Sequence, residues 1–298
     1  MTLTEIPACP APREPSRPKI PSPANACCTH AHVFGPADRF PYAADRSYTP
    51  PDAPLKKYLA MLHTLGLSRG ALVQGSAHGR DNSAMLDALE HEPKRLRGVA
   101  VADETVPAAE LRRWHELGVR GLRFNHFFRG GQLHYRGGVP LGAAKTLAPI
   151  MRDLGWHLQL WIDVKDLPDT IPTLKTIGLP VVIDHMGRSD ARLGTAAPGF
   201  QSLLRLVGDG GCWVKLSGAH RVSQNAPDYP EARALHQALV AANPDQLVWG
   251  TDWPHPRIEG EMPDAGHLLD LFNEWTPTEA TRRRILVDNA ARLYDFPA

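Results

Sequence analysis

Two histidines stand two residues apart in Thr29-His30-Ala31-His32, at the end of a strand-like run. On a β-strand, residues i and i+2 share a face, so both imidazoles can enter one cavity. Such a pair can hold a metal or polarise a carbonyl. Two acid–base segments answer it far downstream. Val181-Val182-Ile183-Asp184-His185-Met186-Gly187-Arg188 carries His185 beside a carboxylate, and Val248-Trp249-Gly250-Thr251-Asp252-Trp253-Pro254-His255-Pro256 carries Asp252. A carboxylate held in a closed site can act as general base on water. Each group also has a structural alternative. His30, His32 and His185 could be hydrogen-bonded core histidines, and Asp252 could cap a helix or a turn.

Arginines add a second theme. Arg123 and Arg129 flank one predicted strand exit, Arg188 follows His185 by three, and Arg221 lies just past another strand. Four guanidiniums at strand ends suggest an anionic substrate with carboxylates to clamp. The alternative is four solvated loop arginines. No Gly-x-Ser-x-Gly elbow is present, and no cysteine stands beside an activating base. Cys27 and Cys28 read as packing residues.

These groups need a scaffold that brings distant segments together. Eight β-rich runs, at 26–34, 69–76, 96–103, 119–125, 157–163, 180–187, 212–218 and 246–252, alternate with helix-period runs. Several are continuously apolar, as strands buried on both faces of a parallel sheet must be. Helices are predicted over 55–65, 84–91, 107–117, 143–154, 170–177, 200–207, 232–242, 264–275 and 277–291, with Asp81-Asn82-Ser83 as a capping signal. The pattern predicts an α/β fold, a single-domain (β/α)8 barrel over 26–298. In that fold the C-terminal strand ends form one mouth, where all three acid–base segments would meet. An open doubly wound sheet would want a glycine-rich phosphate loop, and none is present.

The 298 residues suit one such barrel. A formal net charge of +1 offers no basic field for nucleic acid or an anionic membrane. No apolar run reaches the roughly 18–20 residues of a membrane span. Four cysteines without a C-x-x-C pair fit a reducing cytoplasm. Residues 1–25 differ: seven prolines fall between Pro7 and Pro23, with no hydrophobic core of a signal peptide. They read as an extended or partly disordered arm, a dispensable tail rather than a working part. Oligomeric state is not legible.

The quoted segments resemble the amidohydrolase superfamily, in its branch of 2-pyrone-4,6-dicarboxylate lactonase and related lactone hydrolases. The resemblance runs from about residue 26 to the C-terminus. Besides the segments above it rests on Pro41-Tyr42-Ala43-Ala44-Asp45-Arg46-Ser47-Tyr48, Val73-Gln74-Gly75-Ser76-Ala77-His78 and Arg123-Phe124-Asn125. It implies a distorted (β/α)8 barrel that hydrolyses a lactone ester, in aromatic-compound catabolism. It implies Asp252 as the base on water, with His30, His32 and His185 polarising the carbonyl or assisting proton transfer. It also implies Arg123, Arg129, Arg188 and Arg221 as the carboxylate grip, with Tyr48, Ser76 and His78 beside them. Where the pyrone lactonases carry a tyrosine on strand five, this chain has Trp161. A muconolactone with a second anionic group therefore competes as the substrate.

The same comparison bears on metal. Strand four offers Arg123 rather than a bridging ligand, which argues against a binuclear centre. One divalent ion such as zinc, on His30, His32, His185 and Asp252, stays chemically possible. The branch includes metal-free enzymes, and the expectation is that no metal is required. A metal-dependent decarboxylase and a lactone isomerase of the same superfamily are the competing activities.

Overall fold

The computed structural model describes residues 6–129, 131–134, 136–258 and 260–297. Ten strands occur among them: β1 (Cys27–Ala31), β2 (Arg69–Val73), β3 (Leu96–Ala100), β4 (Val119–His126), β5 (Phe128–Arg129), β6 (Gln132–Leu133), β7 (His157–Ile162), β8 (Val181–Ile183), β9 (Trp213–Lys215) and β10 (Leu247–Val248). β5 and β6 form a small antiparallel hairpin. The other eight pair in parallel in the order β1-β2-β3-β4-β7-β8-β9-β10, which is the eightfold alternation predicted from the sequence. Their residues are buried almost throughout, because helices cover the outside and side chains fill the inside.

Closure of the barrel positions the chemistry. β10 stops at Val248, and the chain beyond it lies against β1. Thr29 N–H donates to Trp249 O at 2.8 Å, Asp252 N–H to His30 O at 2.9 Å and His32 N–H to Trp253 O at 2.8 Å. Residues more than two hundred apart in sequence are thereby backbone neighbours. Gly250 is needed at this seam, since a Cβ there would lie 2.4 Å from His30 N.

Helices α1 (Leu55–Leu65), α2 (Ser83–His91), α3 (Ala108–Glu116), α4 (Ala144–Asp153), α5 (Leu167–Ile177), α6 (Pro198–Gly208), α7 (Ala219–Val222) and α8 (Pro230–Ala242) link the strands. In α1, Tyr58, Met61, Leu62 and Leu65 form the buried stripe, and Gly66 ends the helix at φ 69°. Asn82 does not cap α2 with its side chain. Its amide instead bonds the backbone N–H and C=O of Val101 past β3. α9 (Ala265–Trp275) matches its prediction. The last predicted helix divides into α10 (Glu279–Arg283), a π turn over Arg284–Asp288 and α11 (Asn289–Tyr294). The wider turn lets the consecutive Ile285, Leu286 and Val287 all bury, which a regular helix stripe would not allow. No helix among the described residues is long and apolar enough to cross a membrane.

The proline-rich arm, described from residue 6, is extended and tied down. Cys9 N–H donates to Thr49 O and Thr49 N–H to Pro7 O, both at 2.8 Å. Ser16 N–H donates to Asp264 Oδ1 at 2.9 Å, Lys19 N–H to Asp270 Oδ1 at 2.7 Å, and Ser22 Oγ to Leu65 O at 2.7 Å. The arm starts against Thr49, next to Tyr48 in sequence, and then crosses the start of α9 on its way to β1.

Candidate active site

At the barrel mouth Asp252 is the hub. Its Oδ1 lies 3.7 Å from His30 Nε2, 3.6 Å from His32 Nε2 and 3.8 Å from His185 Nε2. These separations exceed a hydrogen bond and leave room for a shared guest atom. Its Oδ2 accepts from Arg221 Nε at 2.8 Å and faces His220 Nε2 at 3.0 Å. All four expected catalytic residues thus meet on one carboxylate. Burial alone would raise the Asp252 carboxyl, but Arg221, the imidazoles and the hydrogen bonds outweigh it and hold it well below the usual carboxylate range. Asp252 stays ionised.

The backbone is bent to achieve this. His185, Met186, Gly187 and Arg188 all have φ between 50° and 68°, and Asp252 and His255 stand at 64° and 58°. Left-handed non-glycine residues cost energy and cluster where a site dictates their direction. Gly218, at φ 75°, lets the chain after β9 pass the His185 ring, which an added Cβ would approach to 2.8 Å.

The other ring nitrogen of each histidine is held from behind. His32 Nδ1 lies 2.8 Å from Val73 O, His185 Nδ1 lies 2.9 Å from Ser217 Oγ, and His30 Nδ1 lies 3.2 Å from Asp184 Oδ1. Burial pushes His30 down to about 3 and His185 well below its ordinary value, so both are neutral near pH 7. Asp184 Oδ2 takes Arg123 Nε at 3.0 Å and Gln159 Nε2 at 3.1 Å. Burial would raise Asp184, and the charges of Arg123 and Lys215 pull it well below its usual range.

A cationic aromatic wall completes the pocket. Arg123 and Arg188 lie 5.3 and 5.4 Å from the Trp161 ring, and Phe127 stacks on Trp161 at 5.3 Å. Trp161 is therefore a stacking plane with two guanidiniums beside it. Ser76 Oγ donates to Tyr48 Oη at 3.3 Å, and His78 stacks on Phe34, whose ring also meets His32. Tyr48, Ser76 and His78 are thus one aromatic ring removed from the histidine cluster. The Arg129 backbone lies in β5, and its side chain falls outside the described residues. Arg221, expected at the substrate, donates to Asp252 and to Pro256 O.

Several members were not singled out in the sequence, although His255 stands in the segment that carries Asp252. His220 and His255 pack edge to face at 5.1 Å on the far side of Asp252. Lys215 and Gln159 are buried beneath His30. The one signal was a charged residue inside the apolar run Cys212-Trp213-Val214-Lys215-Leu216.

His30, His32 and Asp252 each bring a ligand atom within 4.8 Å of the other two. His32 Nδ1 must carry the ring proton, because Val73 O can only accept. Its Nε2 faces Asp252 Oδ1 at 3.6 Å. By donor type and spacing, His30, His32 and Asp252 fit one divalent ion, with His185 Nε2 a further donor 3.8 Å from Asp252 Oδ1.

Residues 27–296 match the amidohydrolase family profile. The chain is 36% identical over 289 residues to 2-pyrone-4,6-dicarbaxylate hydrolase of Comamonas testosteroni, covering 94% of this chain and 93% of that protein. It is 37% identical over 292 residues to 4-sulfomuconolactone hydrolase of Rhizobium radiobacter, covering 97% and 96%. Among solved structures, a candidate 2-pyrone-4,6-dicarboxylic acid hydrolase from Pseudomonas putida superposes with a TM-score of 0.79 at 37% identity, over 92% of this chain and 98% of the other.

Proposed function

The chain belongs to the amidohydrolase family, and from that premise we propose that it is a lactonase opening a small lactone that bears anionic groups. One observation carries the reading: Asp252 has one oxygen pinned by Arg221 and His220 and the other turned to three imidazoles. That is the arrangement a general base on water needs, with polar rings around the attacked carbonyl.

In this mechanism Asp252 Oδ1 takes a proton from water as the oxygen attacks the lactone carbonyl. Of the imidazoles around Oδ1, His30, whose Nε2 has no partner in the protein, steadies the oxyanion that develops. The ring C–O bond then breaks, and the proton held by Asp252 returns to the leaving oxygen. Trp161 stacks against the planar ring while Arg188 and Arg123 draw in its anionic groups. Either 2-pyrone-4,6-dicarboxylate or a muconolactone with a second anion suits this wall. A divalent ion on His30, His32, His185 and Asp252 would supply a Lewis acid for the carbonyl. The guanidiniums of Arg123, Arg188 and Arg221 around the site support the reading that turnover does not require it.

The test is hydrolysis of 2-pyrone-4,6-dicarboxylate, a carboxymuconolactone and 4-sulfomuconolactone by purified protein, with and without chelator. We expect chelator-insensitive ring opening of one of them. Turnover of none, or a product isomerised rather than hydrated, would overturn the assignment. Loss of activity on chelation would overturn the metal-free part alone.

A further inference from the structure

Lys215 is fully buried at the end of β9, and the mechanism above does not use it. A buried ammonium is costly, and an apolar residue could fill the strand without that cost. Its three N–H bonds have definite targets. One goes to Thr29 O at 2.9 Å and one to Gln159 Oε1 at 2.7 Å. The Gln159 amide cannot be turned round, because its Nε2 must donate to Asp184 Oδ2, which only accepts. The third N–H points at His30 Nδ1, 3.3 Å away.

We infer that Lys215 is a positioning residue that fixes His30 with its ring proton on Nε2, so that His30 donates into the pocket while His32 accepts. A nitrogen that accepts from an ammonium carries a lone pair, and the ring proton must then sit on the other nitrogen. Asp184 competes for the same atom: its Oδ1 is 3.2 Å from His30 Nδ1. That oxygen makes no hydrogen bond there, since it lies off the direction of a ring N–H. The Asp184 charge is met through Oδ2 by Arg123 and Gln159, with Lys215 Nζ a further 3.7 Å from Oδ1.

His32 has the opposite tautomer, because Val73 O fixes its proton on Nδ1. The two histidines of the pair are therefore alike in sequence and opposite in chemistry. His30 Nε2 has no hydrogen-bond partner in the protein and stands 3.7 Å from Asp252 Oδ1, leaving its proton for a guest oxygen. A protonated nitrogen cannot ligate a metal. Lys215 thus opposes the ion that the four side chains otherwise fit. The lactonase reading enters only in naming that guest oxygen as the carbonyl.

The experiment reads the rings without substrate. Full-length protein labelled with 15N-histidine is examined by two-bond 1H–15N correlation, with His30 assigned by its loss in His30→Gln. The expected spectrum shows His30 protonated on Nε2 and His32 on Nδ1. In Lys215→Met the His30 proton should move to Nδ1, toward Asp184, and Zn2+ affinity measured by competition with a chromophoric chelator should rise about tenfold or more. A wild-type His30 protonated on Nδ1, or a Lys215→Met protein with tautomer and Zn2+ affinity unchanged, overturns the inference. If Lys215→Met does not fold, the wild-type spectrum alone decides. The expected tautomers without turnover of any lactone would sink the substrate reading and leave this one standing.

Discussion

Arg221 bridges Asp252 Oδ2 and the Pro256 carbonyl, each at 2.8 Å, through Nε and Nη2. One side chain therefore fixes the base and the loop that carries it. Asp252→Asn keeps the shape and removes the charge, so kcat should fall about 10^2- to 10^4-fold with KM little changed. Arg221→Lys cannot span both acceptors. It should lower kcat about tenfold or more by releasing Asp252. Steady-state kinetics decide: near-normal turnover of Asp252→Asn would remove it from the base's role.

The wall at Trp161 makes a different prediction, on binding rather than chemistry. Arg123 and Arg188 sit beside its ring, and each such contact contributes about 0.5–2 kcal/mol. Trp161→Leu should raise KM about tenfold and change kcat by less than about threefold. Trp161→Phe should fall between. A kcat loss without a KM change would show that the ring orients the reacting bond instead.

How far the sequence reached depends on the kind of contact. The eight barrel strands were legible because runs such as Val181-Val182-Ile183 are apolar on both faces. His30 and His32 were legible through period two, and counting eight strands put Asp252 beside them. What charged groups do to one another was not legible. Spacing placed Arg221 and Arg123 at the mouth, and only the fold shows that they also pair with Asp252 and Asp184. Lys215 and Gln159 belong to no motif, and their meeting under His30 exists only after closure. The arm was hidden for another reason. Its prolines lack donors, and the few N–H groups left find the side chains of Asp264 and Asp270, some 250 residues away.

Those arm contacts predict that residues 1–19 are not dispensable. Deleting them removes the Cys9–Thr49 pairing and the bonds to Asp264 and Asp270. At about 1 kcal/mol per bond this lowers Tm by roughly 5 °C or more. Thr49 also follows Tyr48, so KM should rise with the loss of its anchor. Calorimetry and kinetics on the truncated chain test both, and an unchanged Tm and KM would return the arm to the status of a tail.

Away from the site, His236 sets an acid limit on stability. It is fully buried between α8 and α9, with Nε2 2.9 Å from Thr276 Oγ1, and packs edge to face on Trp275. Burial pushes it down to about 3. An unfolded histidine titrates near 6.5, so below that value the unfolded chain binds a proton that the folded one refuses. Stability contributed by the neutral ring is full above pH 6.5 and is lost as pH falls toward 3, by about 1.4 kcal/mol per pH unit for one such group. His157, also at about 3 through burial, adds a second proton to the slope. His30 and His185, kept neutral by burial at the site, add theirs, so urea unfolding of the wild type between pH 6 and 4 should steepen to several protons. His236→Gln should start less stable and lose about one proton of that slope. An unaltered slope in the variant would mean that the ring is protonated in the folded protein, against its burial.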